Sequence, residues 1–352
     1  MASTIRDVAR EAGVSVATVS RVINNSGPVH ADTRRRIDDV AKRLRYIPNG
    51  AARTLSTRRA QTIGVVLPDL YGEFFSEVIR GIDQEVQRSG WHLLVSSSHN
   101  DRAGIEAALR AMRGRVDGLI VMSPDLDTHI LAQNLPDKLP VVLLNCAGDD
   151  DIYNSLNIDN RGGAFAMTEH LLRQGHGRIG LITGPMRNHD ARERLRGAHE
   201  ALAAAGVTAA PELEVAGDFS EQSGHRAALE LLELEQRPTA LFAANDSMAI
   251  GALSALREAG VRVPEEMAIA GFDDIPIARY MSPPLTTVRV SISELGDQAA
   301  RRLFQVITEL TGERRQELLP TELVVRRSCG ADPGWRRVRH EGGGDDGDGD
   351  AV

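Results

Sequence analysis

The chain has 352 residues, room for two or three domains, with an ordinary globular balance of 42% apolar and 26% charged residues. Its two cysteines, Cys146 and Cys329, exclude a disulfide framework and a cysteine-ligated zinc site and suit a reducing, cytoplasmic setting; no apolar run approaches the roughly 20 residues that span a bilayer, and the first residues read as helix instead of a secretory signal. The net charge of −8 conceals an asymmetry, since residues 1–60 hold twelve Lys/Arg against five Asp/Glu while the remainder hold 29 against 44, so a basic end that attracts phosphates sits on an acidic body that repels them.

Thr4, with Asp7 three residues on, predicts a capping box that opens a short helix ending at Gly13. Ser15 caps a second helix, in which Val19, Val22 and Ile23 form an apolar stripe at three- and four-residue spacing. Two short helices around a Gly turn make a helix-turn-helix, whose second helix lies in a major groove with its first residues on base edges. A third helix is predicted over residues 32–44, with Ile37, Val40, Ala41 and Leu44 facing the first two and Arg34, Arg35 and Arg36 outside. Pro48 pushes the preceding residue toward extended geometry and breaks the helix. Asn49 can cap the Ala-rich run 50–57, which is too short to be a stable helix alone.

The run from Val14 to Asn25 resembles the DNA-binding head of the lactose/galactose repressor family, where it is close to a signature. The resemblance implies that residues 50–57 are a hinge helix that forms on the operator and pairs with its copy from a second subunit. Ala52 lies where two such helices touch, and Leu55 is the side chain pushed between base pairs in the minor groove. A wedge of this kind partly unstacks a flexible step and bends the duplex; a plain linker is the other reading of the same segment. On the second helix, Val16 and Ala17 suit thymine methyls and Arg21 can take a guanine bidentately, while Thr4, Thr18, Ser20 and Asn24 suit phosphates. The Val16–Ala17 pair resembles that of galactose-type repressors, which implies a palindrome with a central C-G step, read by a two-fold dimer.

From residue 61 the pattern changes. Short buried-strand runs at 62–67, 91–96, 116–122, 141–145, 179–183, 239–243 and 267–271 alternate with amphipathic stretches at 73–88, 161–173, 192–205, 222–232 and 247–259. This is an α/β pattern with covered parallel sheets. The layout up to about residue 160 repeats after it, so two doubly wound lobes with a cleft between them are expected. Through residue 328 the body resembles the ligand-binding core of the same family, itself similar to periplasmic sugar-binding proteins. The resemblance implies that the chain returns to the first lobe near Val288 and that a last strand near Leu323 goes back to the second. The expected domains are a head at 1–48, a hinge at 49–60, a body at 61–328 (lobe 1, 61–160 with 289–318; lobe 2, 161–288 with 319–328) and a Gly/Asp-rich disordered tail at 329–352.

Ligands of open α/β sheets bind beyond the carboxyl ends of the strands. The residues there are Asp69, Ser123, Asn145, Asn245 with Asp246, and Asp273 with Asp274, a set of carboxylates and amides suited to vicinal hydroxyls. The family resemblance adds Arg192, with Asn245 and Asp273, as a hydrogen-bonding trio, Phe219 as a stacking surface, and Phe74 and Phe75 as an aromatic pair. Adjacent helical residues point about 100° apart, so only one of that pair is expected to face the cleft squarely. Capping is the competing explanation for Asn245 and for Asp273–Asp274.

The histidines lack metal-ligand spacing, and the chain has no nucleophile elbow, phosphate loop or dinucleotide fingerprint. No metal, cofactor or enzymatic activity is expected. The expected function is a transcriptional repressor that binds double-stranded operator DNA as a homodimer, gated by a small polyhydroxylated effector, a sugar or nucleoside, in the cleft. An effector-independent regulator whose body only dimerises is the rival reading. Nothing here resembles the leucine heptad that tetramerises some family members.

Overall fold

The computed structural model describes residues 3–24, 27–46, 59–99, 101–123, 128–136, 138–146, 152–309 and 314–331. In the head, the Asp7 amide donates to the Thr4 hydroxyl while the Thr4 amide donates to the Asp7 carboxylate, so both halves of a capping box start α1 (Ile5–Ala12). It stops at Gly13, whose φ of 63° lies in the left-handed region that favours glycine. Ser15 caps α2 (Val16–Ile23) by accepting from the Thr18 amide at 3.1 Å. With α3 (Ala31–Arg43), these helices bury Val8, Ala12, Val19, Val22, Ile37 and Val40 in a core of their own. Arg34, expected to point outward, donates to the Val22 carbonyl at 3.3 Å and ties α3 to the end of α2. Asn49, Ala52 and Leu55 of the expected hinge helix, and residues 332–352 of the expected tail, lie outside the described residues.

The first lobe runs β1 (Thr62–Leu67), α4 (Glu73–Arg88), β2 (His92–Ser97), α5 (Arg102–Met112), β3 (Gly118–Met122), α6 (Thr128–Asn134), β4 (Val141–Leu144) and β5 (Asn154–Ile158). The second runs α7 (Asn160–Arg173), β6 (Ile179–Thr183), α8 (His189–Ala204), β7 (Glu214–Ala216), α9 (Glu221–Leu232), β8 (Ala240–Ala243), α10 (Asp246–Glu258) and β9 (Ala268–Ala270). The chain closes with β10 (Thr287–Arg289), α11 (Ile292–Glu309), β11 (Gln316–Leu319), β12 (Glu322–Val324) and a 3-10 turn, Arg327–Cys329.

Lobe 1 is a parallel sheet of order β11-β5-β4-β3-β1-β2, and lobe 2 a parallel sheet of order β7-β6-β8-β9. In both, the chain goes from its first strand to one side and then to the other, which creates a switch point between β1 and β3 and between β6 and β8. β10 and β12 form a separate antiparallel pair. The chain passes between lobes three times: after β5, through β10 and through β12. Cys329, placed in the tail by the sequence reading, is 1% exposed, and Ser328 beside it donates to the Ile269 carbonyl at 2.6 Å, so the packed body runs through the 3-10 turn.

Helices cover the sheets in tight pairs. A Cβ on Gly81 of α4 would lie 1.9 Å from the Ser293 carbonyl oxygen of α11, and one on Gly251 of α10 would lie 1.8 Å from the Glu221 carbonyl oxygen of α9. Three strands absent from the sequence reading, β5, β7 and β11, are polar or very short; their strand state comes from the neighbours they pair with. Among the described residues no helix is long and apolar enough to cross a membrane.

Candidate functional site

The carboxyl ends of the strands of both lobes face a cavity of about 210 Å³. Its floor is a polar network built around Arg194, which is 5% exposed. The Arg194 Nε donates to Asn160 Oδ1 at 2.8 Å, Nη1 donates to the Ala244 carbonyl at 2.5 Å, and Nη2 pairs with Asp273 Oδ1 at 3.0 Å. The Phe272 ring lies 3.8 Å beneath the guanidinium carbon. Asn160 in turn donates to Asp190 Oδ1 at 2.9 Å. A buried charge needs such partners, because each unmet lone pair or proton retains its desolvation cost; Asp273 Oδ1 is met by the Arg194 ion pair without an aligned hydrogen bond. Burial pushes the Asp273 carboxyl up to about 6, the Arg194 charge and hydrogen bond opposing it. Asp246, behind Asp273, is pushed far above the carboxylate range, first by burial and then by the Asp273 charge.

Backbone strain collects at the same place. Asp273 and Asp274 have φ of 109° and 55°, and Phe219 has 72°, conformations that persist where surrounding contacts over-determine them. Asp273 is pinned by its amide to the Val288 carbonyl at 2.8 Å. Asp274 points the other way, accepting from Arg289 Nε at 2.8 Å and Arg326 Nη2 at 2.6 Å. Two adjacent carboxylates thus serve the cavity and the crossing strands respectively. Neither caps the 3-10 turn Pro276–Tyr280, since the Ile275 amide donates to Asp246. Asn245 does cap α10, accepting from the Met248 amide at 2.9 Å, and its Nδ2 donates to the Phe219 carbonyl at 3.0 Å, holding the strained aromatic loop against the cavity.

Phe74 and Phe75 both line the cavity, their rings edge to face with centroids 5.5 Å apart. Helix α4 begins at Glu73, so both first-turn side chains reach the cavity at its N-terminal end while both also pack against the core. Across the mouth, the Ile277 amide of lobe 2 donates to Glu73 Oε2 of lobe 1 at 3.0 Å.

Two candidates lie elsewhere. Arg192 is exposed, and its Nη1 donates to the carbonyls of Met186 and Arg187 at 2.9 and 2.6 Å. Arg194, two residues on and therefore about 200° around α8, takes the inward position. The signal for it was present: Ala191, Arg194 and Ala198 share the buried face. Asn145 is also outside the cavity wall. It is 2% exposed and accepts from the Ile158 amide at 3.1 Å, joining the end of β4 to β5 just before the first crossing. Ser123 is buried without joining the wall, whereas Asp69 lines it and accepts from the Leu70 and Tyr71 amides.

In the head, Val16, Ala17 and Arg21 are exposed on one helix, Val16 at 42%. The Thr18 hydroxyl lies 2.9 Å from that of Ser15, Ser20 accepts from Asn24 Nδ2 at 3.1 Å, and the Thr4 hydroxyl donates to Asp7 Oδ2 at 2.7 Å. These polar groups hydrogen-bond within their own helices, and Val16, Ala17 and Arg21 form the exposed surface of α2.

Residues 4–49 match the model of the bacterial regulatory proteins of the lacI family, and residues 168–329 match a periplasmic binding protein-like domain. The chain is 36% identical over 329 residues to the HTH-type transcriptional repressor PurR of Aliivibrio salmonicida, covering 93% of this chain and 98% of that one. The chain belongs to the lacI family. The Lac repressor dimer bound to operator and the anti-inducer ONPF superposes with a TM-score of 0.84 at 32% identity, over 94% of this chain and all of that one. The CelR–cellobiose complex superposes at 0.71 with 33% identity, over 93% and 99%. As a lacI-family transcriptional repressor, and no enzyme, the protein joins a DNA-binding head to a body of the effector-binding type.

Proposed function

We propose that this lacI-family repressor binds a near-palindromic operator as a homodimer and that a small sugar in the cleft gates it. The observation that carries the reading is the cavity itself: a polar Arg194–Asp273–Asn160 floor beneath the aromatic surfaces of Phe74, Phe75 and Phe219, at the switch points of both sheets. Carboxylate and amide groups beside flat apolar rings fit the alternating polar edge and apolar face of a sugar ring. Structures of relatives carrying cellobiose and ribose, and of the Lac repressor dimer on its operator, support the same assignment.

On DNA, Val16 and Ala17 meet thymine methyls and Arg21 takes a guanine, while Thr4, Thr18, Ser20 and Asn24 turn to phosphates. The hinge segment pairs across the dimer through Ala52 and wedges Leu55 into a central C-G step. Ligand contact with Asp273 reaches the crossing strands through its neighbour Asp274, which is bonded to Arg289 on β10 and Arg326 just after β12. A change in lobe angle then alters the spacing of two marginal hinge helices.

The test is operator binding at fixed salt, with DNA selected from the source genome and a panel of sugars and nucleosides. A shift of about tenfold or more, 1.4 kcal/mol of coupling, is expected with a sugar, and its sign separates inducer from corepressor. Tight DNA binding that no compound shifts overturns the gated reading.

A further inference from the structure

Four helices open their first turns toward the cleft region, and each carries an acidic residue there: Glu73 on α4, Asp190 on α8, Glu221 on α9 and Asp246 on α10. A helix N-terminus is a ready seat for a phosphate, because its free amides and the positive end of its dipole face outward. In this cleft three of the four are capped by their own side chains, Asn188, Ser220 and Asn245 accepting from the amides of Ala191, Ser223 and Met248. All four dipoles already face a carboxyl group of the protein.

The cavity wall adds the same bias. Among the described residues Asp69, Glu73, Asp190, Asp218, Glu221 and Asp273 contribute six carboxyl groups, against one cation, Arg194, whose guanidinium is engaged by Asp273, Asn160 and the Ala244 carbonyl. Arg192, the nearby cation on the same helix, is held outside the wall by loop carbonyls. Among the described residues no lysine or histidine lines the cavity. A phosphate entering this space meets like charge, and partial burial strengthens that repulsion. Hydroxyl groups meet a dense set of acceptors.

Resting on the reading of this cleft as the effector site, we infer that the effector is an uncharged, unphosphorylated sugar or glycoside, and that Glu73, Asp218 and Glu221 exclude its phosphorylated counterpart. Glu73 and Glu221 are each held through one carboxylate oxygen, by the Ile277 amide and by the Ser247 hydroxyl at 2.9 Å, while Asp218 is held more fully, by the Ser220 amide at 2.9 Å and by the Ser220 and Ser223 hydroxyls. Among the described residues the second oxygen of Glu73 and of Glu221 meets no hydrogen-bond donor, which leaves it to accept a ligand hydroxyl. Glu73 stands on one lobe and the other two on the opposite lobe, so a closed cleft presents acceptors from both sides and doubles the repulsion of an anion.

The test is calorimetric titration of the full-length protein with a panel of pentoses, hexoses and disaccharides, each beside its monophosphate. A free sugar is expected to bind and its phosphate to bind roughly a hundredfold more weakly, about 2.8 kcal/mol at 1.4 kcal/mol per tenfold. Glu221→Gln and Glu73→Gln shrink that ratio by about tenfold each through loss of like-charge repulsion. Phe219→Ala weakens both members of a pair alike and leaves the ratio unchanged, which separates charge exclusion from general damage to the site. A monophosphate that binds as tightly as its free sugar overturns the inference while leaving the cleft an effector site. Binding by neither member of any pair overturns the effector reading as well.

Discussion

Arg194 shows how much one buried side chain can be asked to hold. Replacing it with Met strands the Asp273 carboxylate, the Asn160 amide oxygen and the Ala244 carbonyl at once, so Arg194→Met is expected to lose about 3–5 kcal/mol in urea denaturation. Arg194→Lys recovers little of this, because a point charge cannot serve three directions. Arg192→Ala removes only an exposed tie to loop carbonyls and is expected to cost about 1 kcal/mol or less; equal losses at the two positions would refute the placement of Arg194 at the floor. Asp273, lifted by burial to about 6, supplies a pH signature. Because its folded pKa is raised, its contribution to stability is complete below the ordinary carboxylate value of 3.8 and is lost as pH rises through about 6. Ligand hydroxyls favour the ionised carboxylate. Sugar affinity is therefore expected to rise as pH climbs through about 6, with proton release visible in calorimetry across buffers of different ionisation enthalpy. Asp273→Asn should abolish that dependence; a rise that survives in the variant assigns the proton elsewhere.

At the scale of elements, the body depends on helices that approach at backbone distance. α4 and α11 meet where Gly81 faces the Ser293 carbonyl and Gly296 faces the Val78 carbonyl, with 1.9 and 2.3 Å left for a Cβ that is not there. Backbone cannot yield as a side-chain tip does, so Gly81→Ala must separate the pair. The expected cost is about 1–3 kcal/mol, as for other overpacked sites, read from the denaturation midpoint. Gly90→Ala is a useful contrast, since the space around it is open and only its φ of 69° resists; that variant should lose about 1 kcal/mol, the penalty for a left-handed L-residue. The strained Phe219 loop and the paired positive φ values at Asp273 and Asp274 are element-level features of a different kind. They follow strands and line or adjoin the cavity, and the surrounding contacts over-determine them.

For the whole molecule, charge separation is the dominant design. The first 60 residues carry an excess of positive charge and the rest a larger excess of negative charge. Operator binding is expected to weaken by roughly 10³–10⁵-fold between about 50 and 200 mM salt if six to ten phosphates are neutralised. Sugar binding in the uncharged-ligand reading should change little over that range, because no ion pair with the ligand is formed. Filter-binding and calorimetry across a salt series check both slopes, and parallel slopes would contradict the division of labour between head and cleft. Two of the three crossings between the lobes, β10 and the segment after β12, are anchored through Asp274 to Arg289 and Arg326, and in the proposed function they are the route that joins the cleft to the head.

The sequence by itself determined the head and the class of the body. Capping residues, a Gly turn and three- to four-residue apolar spacing are local rules, and Thr4, Asp7, Gly13 and Ser15 act in the structure through contacts within a few residues. The long apolar strands were equally legible, because a strand covered on both faces must be apolar throughout. Tertiary structure decided the rest. β5, β7 and β11 are strands because of what lies beside them. Asn145 went to the join between β4 and β5, and both Phe74 and Phe75 reached the cavity because α4 begins there. The choice of Arg194 over Arg192 depended on which face of α8 the sheet covers. A sequence window reports which side chains share a face; the packing of distant elements determines which face looks into the cleft, and with it which charges a ligand meets.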